Sequence, residues 1–313
     1  MNVTGANPAA ARTPDQRQRP RRRSLVGHGI TPYLFIGPSL FGVFAFLLIP
    51  VVMAAIFSFT NWNLISAPTF IGLDNYARLI GDQRSINAFV RSGYFVLLTV
   101  PLQTTLALVV ALILQRNFRG RSLFRALYVL PWLATPVALA VIWHWLLDPT
   151  TGPIQLLAPL GITTVNWFQD PGLALPGIAL ITVWQFVGYN SLFFLAGLQS
   201  IPENLYESAK LDGAGSWQLF RRITLPLLTP TTLFVVITNV IGGFQAFDYV
   251  YVLTSGGPDR STEVINYRIY DQAFRQFNGG YAAALAMVLF AIILIATVVQ
   301  FAFARNRVVY DIS

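Results

Sequence analysis

Residues 200–230 read SIPENLYESAKLDGAGSWQLFRRITLPLLTP, a polar passage set between two long apolar runs. Ser200 and Glu203 have capping-box spacing, and Pro202 suits the first turn of a helix, where its missing N–H would have been unpaired anyway. A helix is predicted to start there and to stop at Asp212-Gly213, because glycine readily takes the left-handed conformation that ends helices. Ser216 is placed to cap a second short helix that leads through Arg221 and Arg222 into Leu225-Pro226. A helix, a glycine turn and a helix result, too polar to enter a bilayer and too regular for a plain loop. Small residues at Ser208, Ala209, Gly213 and Ala214 would let another backbone come close, and Glu207 offers a carboxylate to an arginine across an interface. An interfacial amphipathic helix without a partner fits the same pattern.

The flanks decide the class. Crossing a hydrocarbon core of about 30 Å takes about 20 apolar residues of helix. Charge-free runs of that size occupy Ile30–Phe59, Gly93–Leu114, Ala126–Leu147, Ala174–Leu198 and Tyr281–Ala304, and Thr231–Leu253 adds a sixth that carries one acid, Asp248. In lipid the backbone has no partner but itself, so each run is expected to be a helix and the fold an all-α, polytopic bundle of six spans. The first run is far too long for a signal peptide core.

Composition agrees: 55% of the 313 residues are hydrophobic and 11% charged, against about a quarter charged in soluble domains. A net charge of +8 does not point to nucleic acid, because the basic residues sit in short clusters between apolar runs rather than on one face. Without a single cysteine, disulfides, thiolate metal sites and thiol nucleophiles are excluded. Basic residues gather in cytoplasmic loops. With the amino terminus inside, fifteen of the 21 fall in the tail, at Arg116–Arg125, at Lys210–Arg222 and at Arg305–Arg307, and six fall outside, so both termini are expected in the cytoplasm. The basic segment 1–29 is expected to be a disordered tail, 30–304 the transmembrane domain with its loop at 200–226, and 305–313 a cytoplasmic end. On the outer side, Phe70–Arg91 reads as a short amphipathic surface helix, and Asp148–Gly172 as either a connection or a docking surface for an external partner.

The 200–230 passage resembles the EAA loop of binding-protein-dependent ABC importer permeases: Glu-Ala-Ala, a glycine four residues on, then Ile-x-Leu-Pro. Glu207, Ser208, Ala209, Gly213, Ile223, Leu225 and Pro226 carry the match, with serine in place of the first alanine. FIGLDNYARLI from Phe70, LFRALYVLP from Leu123, TSGGP from Thr254 and GYAAALAMVLF from Gly280 are similar to the maltose and glycerol-phosphate type of sugar permease, so the likeness runs from about Ile30 to Ala304. It implies the type I importer permease fold and a coupling helix seated in a cytosolic ATPase, with Glu203, Glu207, Ser208, Ala209, Asp212 and Gly213 as the candidate coupling residues. It also implies a second permease subunit, two ATPase subunits that hold the ATP and magnesium, an external solute-binding protein, and residence in a bacterial inner membrane. The chain itself is expected to bind no cofactor, having no Walker-type phosphate loop.

Polar groups inside a bilayer are candidates for a solute path. Trp184, Gln185, Gly188, Tyr189, Asn190 and Ser191 cluster on the fourth span, and Asn239, Gly242, Gly243, Gln245 and Asp248 on the fifth. The third span carries Trp143 and His144, the second Gln103, Thr104 and Thr105 after Pro101. Sugars take aromatic faces together with amide and carboxylate partners, which the fourth and fifth spans supply; hydrogen bonding between helices is the other reading of each residue. By the resemblance, Trp184, Gly188, Asn239 and Gly243 fall where the family contacts its sugar. Asp248 is expected to pair with an outer-loop arginine, or else to meet a cationic group such as an amino sugar. Lone His144 is expected to pack rather than to ligate metal. Pro38, Pro50, Pro101, Pro131, Pro136, Pro226 and Pro230 are the expected bend points.

A secondary carrier driven by an ion gradient is the alternative function, opposed by the lack of two related halves and by the single intramembrane acid. A serine-type intramembrane hydrolase lacks its base and nucleophile motif, and a vitamin importer has a different loop signature.

Overall fold

The apolar runs fold as helices whose ends are set by local chemistry. The computed structural model describes residues 31–116, 119–160 and 165–305, so the basic tail with His28 and the segment 306–313 lie outside the described residues. Two units are distinguished, one ending at Pro50 and one beginning at Val51. The span α1 (Phe35–Phe57) is apolar throughout and includes a π-type turn at Phe44–Leu48.

Within the second unit, a two-residue ribbon pairs β1 (Thr60–Asn61) antiparallel with β2 (Thr69–Phe70). Helix α2 (Asp74–Gly81) follows, pinned to the ribbon by buried Asn75, whose Nδ2 donates to the carbonyls of Ser58 and Thr60, each at 2.9 Å. The amphipathic element expected over Phe70–Arg91 is therefore shorter, because Asp82 accepts from the backbone N–H groups of Arg84 (3.0 Å) and Ser85 (3.3 Å) and starts the next helix. That helix, α3 (Gln83–Gln115), runs 33 residues with Pro101 inside it and begins well before the apolar run does.

The third span is not straight. Helix α4 (Arg121–Leu133) meets α5 (Pro136–Leu146) at a 99° bend. Pro136 suits the first turn of a helix, where its missing N–H costs nothing, and Thr135 caps α5 by accepting from Ala138 N–H at 3.4 Å. The span expected over Ala126–Leu147 is thus broken at Pro136, one of the expected bend points, while Pro101 and Pro131 sit inside helices.

Helix α6 (Ala174–Gln199) is the most enclosed span; it packs along α3 and also against α4. Then come α7 (Glu203–Leu211), α8 (Ser216–Leu219), a π-type turn at Phe220–Thr224, and α9 (Thr229–Phe244), which also packs on α3. After a break at 245–247, α10 (Asp248–Leu253) lies against α5. Helices α11 (Ile265–Tyr270) and α12 (Gly279–Arg305) complete the described residues. Among the described residues five helices are long and apolar enough to cross a membrane, six with the bent α4–α5 pair.

Candidate functional site

The 200–230 passage forms the expected helix, turn and helix, with different caps. Ser200 ends α6, its Oγ donating to Gly197 O at 2.8 Å, so the residue before α7 is Pro202. The capping-box expectation fails because the preceding span claims Ser200 first. Likewise Gly215 is the cap of α8 and Ser216 its first residue, and Gln218 Oε1 accepts from Gly215 N–H at 3.0 Å. The stop is as expected. Gly213 sits at φ +81°, with Gly213 N–H on Lys210 O (3.0 Å) and Ala214 N–H on Ala209 O (2.9 Å), the paired closure of a Schellman motif.

Glu203, Glu207, Ser208, Asp212 and Gly213 are exposed on this knob and Ala209 is half-buried. Leu211 and Trp217 are 89% and 69% exposed, large apolar side chains presented by an otherwise polar element. The inner face is anchored. Tyr206 OH and Thr224 Oγ1 share a hydrogen bond of 3.0 Å, and Tyr206 and Ile223 pack on a core made by Ala107 and Ala111 of α3, Phe194, Leu195 and Leu198 of α6, and Leu228 and Val235 near the start of α9. The knob is thus fixed by apolar contact to three spans.

Those three spans, with α10, also wall a cavity of about 230 Å³. It brings together Tyr189, Asn190, Asn239, Gly242, Gly243, Gln245 and Asp248 from the expected set. Gln103 of α3 joins them. Asn239 Oδ1 accepts from Gln103 Nε2 (3.2 Å) and Asn190 Nδ2 (3.0 Å), which leaves the buried Asn239 Nδ2 without a partner among the described residues. Aromatic faces come from Phe95, Phe186, Phe247 and Tyr249, which sequence reasoning passed over; the three phenylalanines carry no polar signal in a span. Tyr189 is held by stacking on Trp132, centroids 4.2 Å apart at 9°. The glycine pair divides its work: a Cβ on Gly242 would meet nothing within 4 Å, whereas one on Gly243 would come 2.9 Å from Val96 Cγ2 of α3.

Four expected residues lie elsewhere. Trp184 faces a groove between α3 and α4, edge-on to Trp143 at 5.2 Å. Gln185, 1% exposed, donates from Nε2 to Ala134 O (3.1 Å) at the α4–α5 break and accepts from Tyr249 OH at Oε1 (2.7 Å). Gly188 lets the α4 backbone approach, since an added Cβ would overlap the carbonyl of Tyr128. Ser191 Oγ returns to Gly188 O at 2.6 Å. The pairing expected for Asp248 is not made: the arginines in ion pairs among the described residues are Arg84 and Arg268, and Asp248 lines the cavity exposed.

Those arginines build a clasp at the end of α3 remote from the knob. Arg84 pairs with Glu263 (2.8 Å) and Asp271 (3.4 Å), Arg268 with Asp82 (3.1 Å) and Asp271 (3.2 Å), and Tyr281 OH donates to Asp82 at 2.8 Å. Burial would raise the Asp82 carboxyl, but hydrogen bonds from Ser85, Tyr281 and Arg268 outweigh it and hold Asp82 well below the usual carboxylate range. Nearby, His144 stacks on Phe168 at 5.9 Å and borders a polar hollow with Asp148, Asn166, Gln169 and Thr254.

Comparison with known proteins places this architecture. A probable ABC transporter permease of Pyrococcus horikoshii is 37% identical over 84% of this chain and 92% of its own length. A probable starch degradation products transport system permease of Thermoanaerobacterium thermosulfurigenes is 31% identical over 92% of this chain and 98% of its own. Among solved structures, a chain of a bacterial ABC transporter involved in import of the acidic polysaccharide alginate superposes with a TM-score of 0.77 at 23% identity, covering 88% of this chain and 95% of that one. A family model spans residues 79–308, most of the helical bundle with its knob and cavity, and this multi-pass chain belongs to the binding-protein-dependent transport system inner membrane component family.

Proposed function

We propose that the chain is the permease subunit of an ATP-driven importer for a sugar or sugar derivative, coupled to cytosolic ATPases through the α7–α8 knob. The carrying observation is continuity: an exposed knob at Glu203–Leu211 packs through Tyr206 and Ile223 into the helices that wall an amide- and aromatic-lined cavity. A push on such a knob moves the cavity walls, because a core at crystal-like density transmits displacement rather than absorbing it. Glu203, Glu207, Ser208, Ala209, Asp212 and Gly213 are the surface an ATPase cleft would hold, with exposed Leu211 as an apolar anchor. ATP and magnesium belong to those partner subunits. A second permease completes the pathway, an external binding protein delivers the solute, and both termini lie in the cytoplasm.

The sugar class rests on the cavity's chemistry, flat aromatic faces beside amides and a carboxylate, and on the relative named for starch degradation products. The test is uptake in cells carrying the complete transporter. Uptake should stop on ATP depletion and survive collapse of ion gradients, and Gly213→Asp should abolish it while membrane insertion stays normal, because a side chain at φ +81° strains the turn. Uptake that outlasts ATP but dies with the ion gradient would establish a secondary carrier instead.

A further inference from the structure

The cavity has a sign. Among the described residues that line it there is no arginine, lysine or histidine, and the one carboxylic side chain is that of Asp248. Among the described residues no ion pair neutralises that carboxylate. The other polar side chains are the threonines Thr99, Thr182 and Thr238, the tyrosines Tyr189 and Tyr249, the amides of Gln103, Asn190 and Gln245, and Asn239, whose Nδ2 is buried and unpartnered among the described residues. That N–H2 asks for an oxygen acceptor, which any hydroxyl can supply. A phosphate or carboxylate on the solute would instead stand beside Asp248 with no cation to offset the repulsion.

We infer that this cavity admits neutral and positively charged polyhydroxylated rings, uncharged sugars and amino sugars, and turns away phosphorylated and uronic-acid sugars, with Asp248 as the residue that sets the sign. That solutes enter this cavity rests on the import reading; the discrimination itself is electrostatic and is measurable without transport. The names of relatives do not set the sign: the alginate transporter is alike in fold, at 23% identity, and relatives at 30–31% identity are named for starch degradation products and for sn-glycerol-3-phosphate alike.

The chain contains no cysteine, so Thr238→Cys puts a single thiol on the cavity wall. The full chain, assembled with its partner subunits in nanodiscs, is treated with a trimethylammonium-ethyl or a sulfonato-ethyl methanethiosulfonate. Each rate is normalised to that of the same reagent with a free thiol in solution. For a charge and a thiol taken to be about 10 Å apart at an effective dielectric of about 40, the local concentration of each reagent changes about fourfold, in opposite senses, so the cationic reagent should lead by about tenfold. Asp248→Asn should bring the normalised ratio near one, and Asp248→Glu should restore it. Equal normalised rates, or a ratio that Asp248→Asn leaves unmoved, overturn the inference. So does a thiol unreactive to both reagents at Thr238 and again at Gln245→Cys, since the cavity would then be closed to solutes. Failure of the import reading would look different: no ATP-dependent uptake, with the charge ratio intact.

Discussion

Replacing Gln185 with leucine tests whether a buried amide holds the broken span in place. Gln185 bridges Ala134 O at the α4–α5 break (3.1 Å) and Tyr249 OH at the cavity wall (2.7 Å), and it is 1% exposed. Leucine keeps much of the volume and removes both bonds. Each bond contributes about 1 kcal/mol in water-soluble proteins and about 0.6 kcal/mol between membrane helices. Beyond that, the carbonyl of half-buried Ala134 and the hydroxyl of buried Tyr249 would be left unpaired, a further cost of up to about 1 kcal/mol each. Gln185→Leu should therefore lose about 2–4 kcal/mol, and Tyr249→Phe, which strands only the amide oxygen, about 1–2 kcal/mol. Because Tyr249→Phe removes one of the groups that Gln185→Leu strands, the double variant should fall short of the sum by about 1 kcal/mol. Unfolding by dodecyl sulfate in mixed micelles, followed by helix content, gives all four values. A Gln185→Leu protein as stable as the parent, or strictly additive single effects, would refute the brace.

Two further perturbations separate packing from chemistry. Gly188→Ala should destabilise by at least the 1–3 kcal/mol typical of overpacking, because its Cβ would overlap the Tyr128 carbonyl, whereas Gly242→Ala, with nothing within 4 Å of its Cβ, should be neutral in the same unfolding assay; equal effects would contradict the close α4–α6 approach. The clasp should be sensitive to acid. Asp82 titrates lower in the folded chain than unfolded, so its contribution is full above the unfolded value of about 4 and is lost as pH falls through the folded one. The stability gap between the parent and Asp82→Asn, measured at pH 7, 5 and 3, should be constant between the first two and narrow at the third; a gap that widens toward acid would reverse the assignment.

Much of the bundle was legible because hydropathy alone dictates that long apolar runs become helices. The break in the third span was legible only as one of seven proline bend points, since proline at 131 and proline at 136 look alike in sequence; Pro136 is preceded by Thr135, which caps a new helix. The caps of the knob were misread for a related reason. Ser200 satisfies the rule for starting α7, but the end of α6 offers Gly197 O to the same hydroxyl. Glycine at 213 was readable because its requirement, a left-handed residue after a polar helix, is met by the backbone alone. The clasp could not be foreseen, as Arg84 and Glu263 lie 179 residues apart and nothing local marks them as partners.

The polar residues of the fourth and fifth spans show what one sequence can and cannot separate. Gln185 and Asn190 lie five positions apart on α6, both amides, both buried, and equally eligible for a solute path. They diverge because of what faces them. Gln185 meets a carbonyl released by a helix break and a phenol, so both its donor and its acceptor are consumed inside the fold. Asn190 meets Asn239, whose acceptor is already shared with Gln103, and the surplus donor is left on Asn239 at the edge of an open cavity. A buried amide that closes its own hydrogen bonds braces the walls, and one left with an unmet donor beside empty space is where a hydroxylated solute gains most, since the group has been desolvated without compensation until the solute arrives. By that criterion Asn239, rather than any tryptophan or glycine of α6, is the amide at which a sugar hydroxyl should bind.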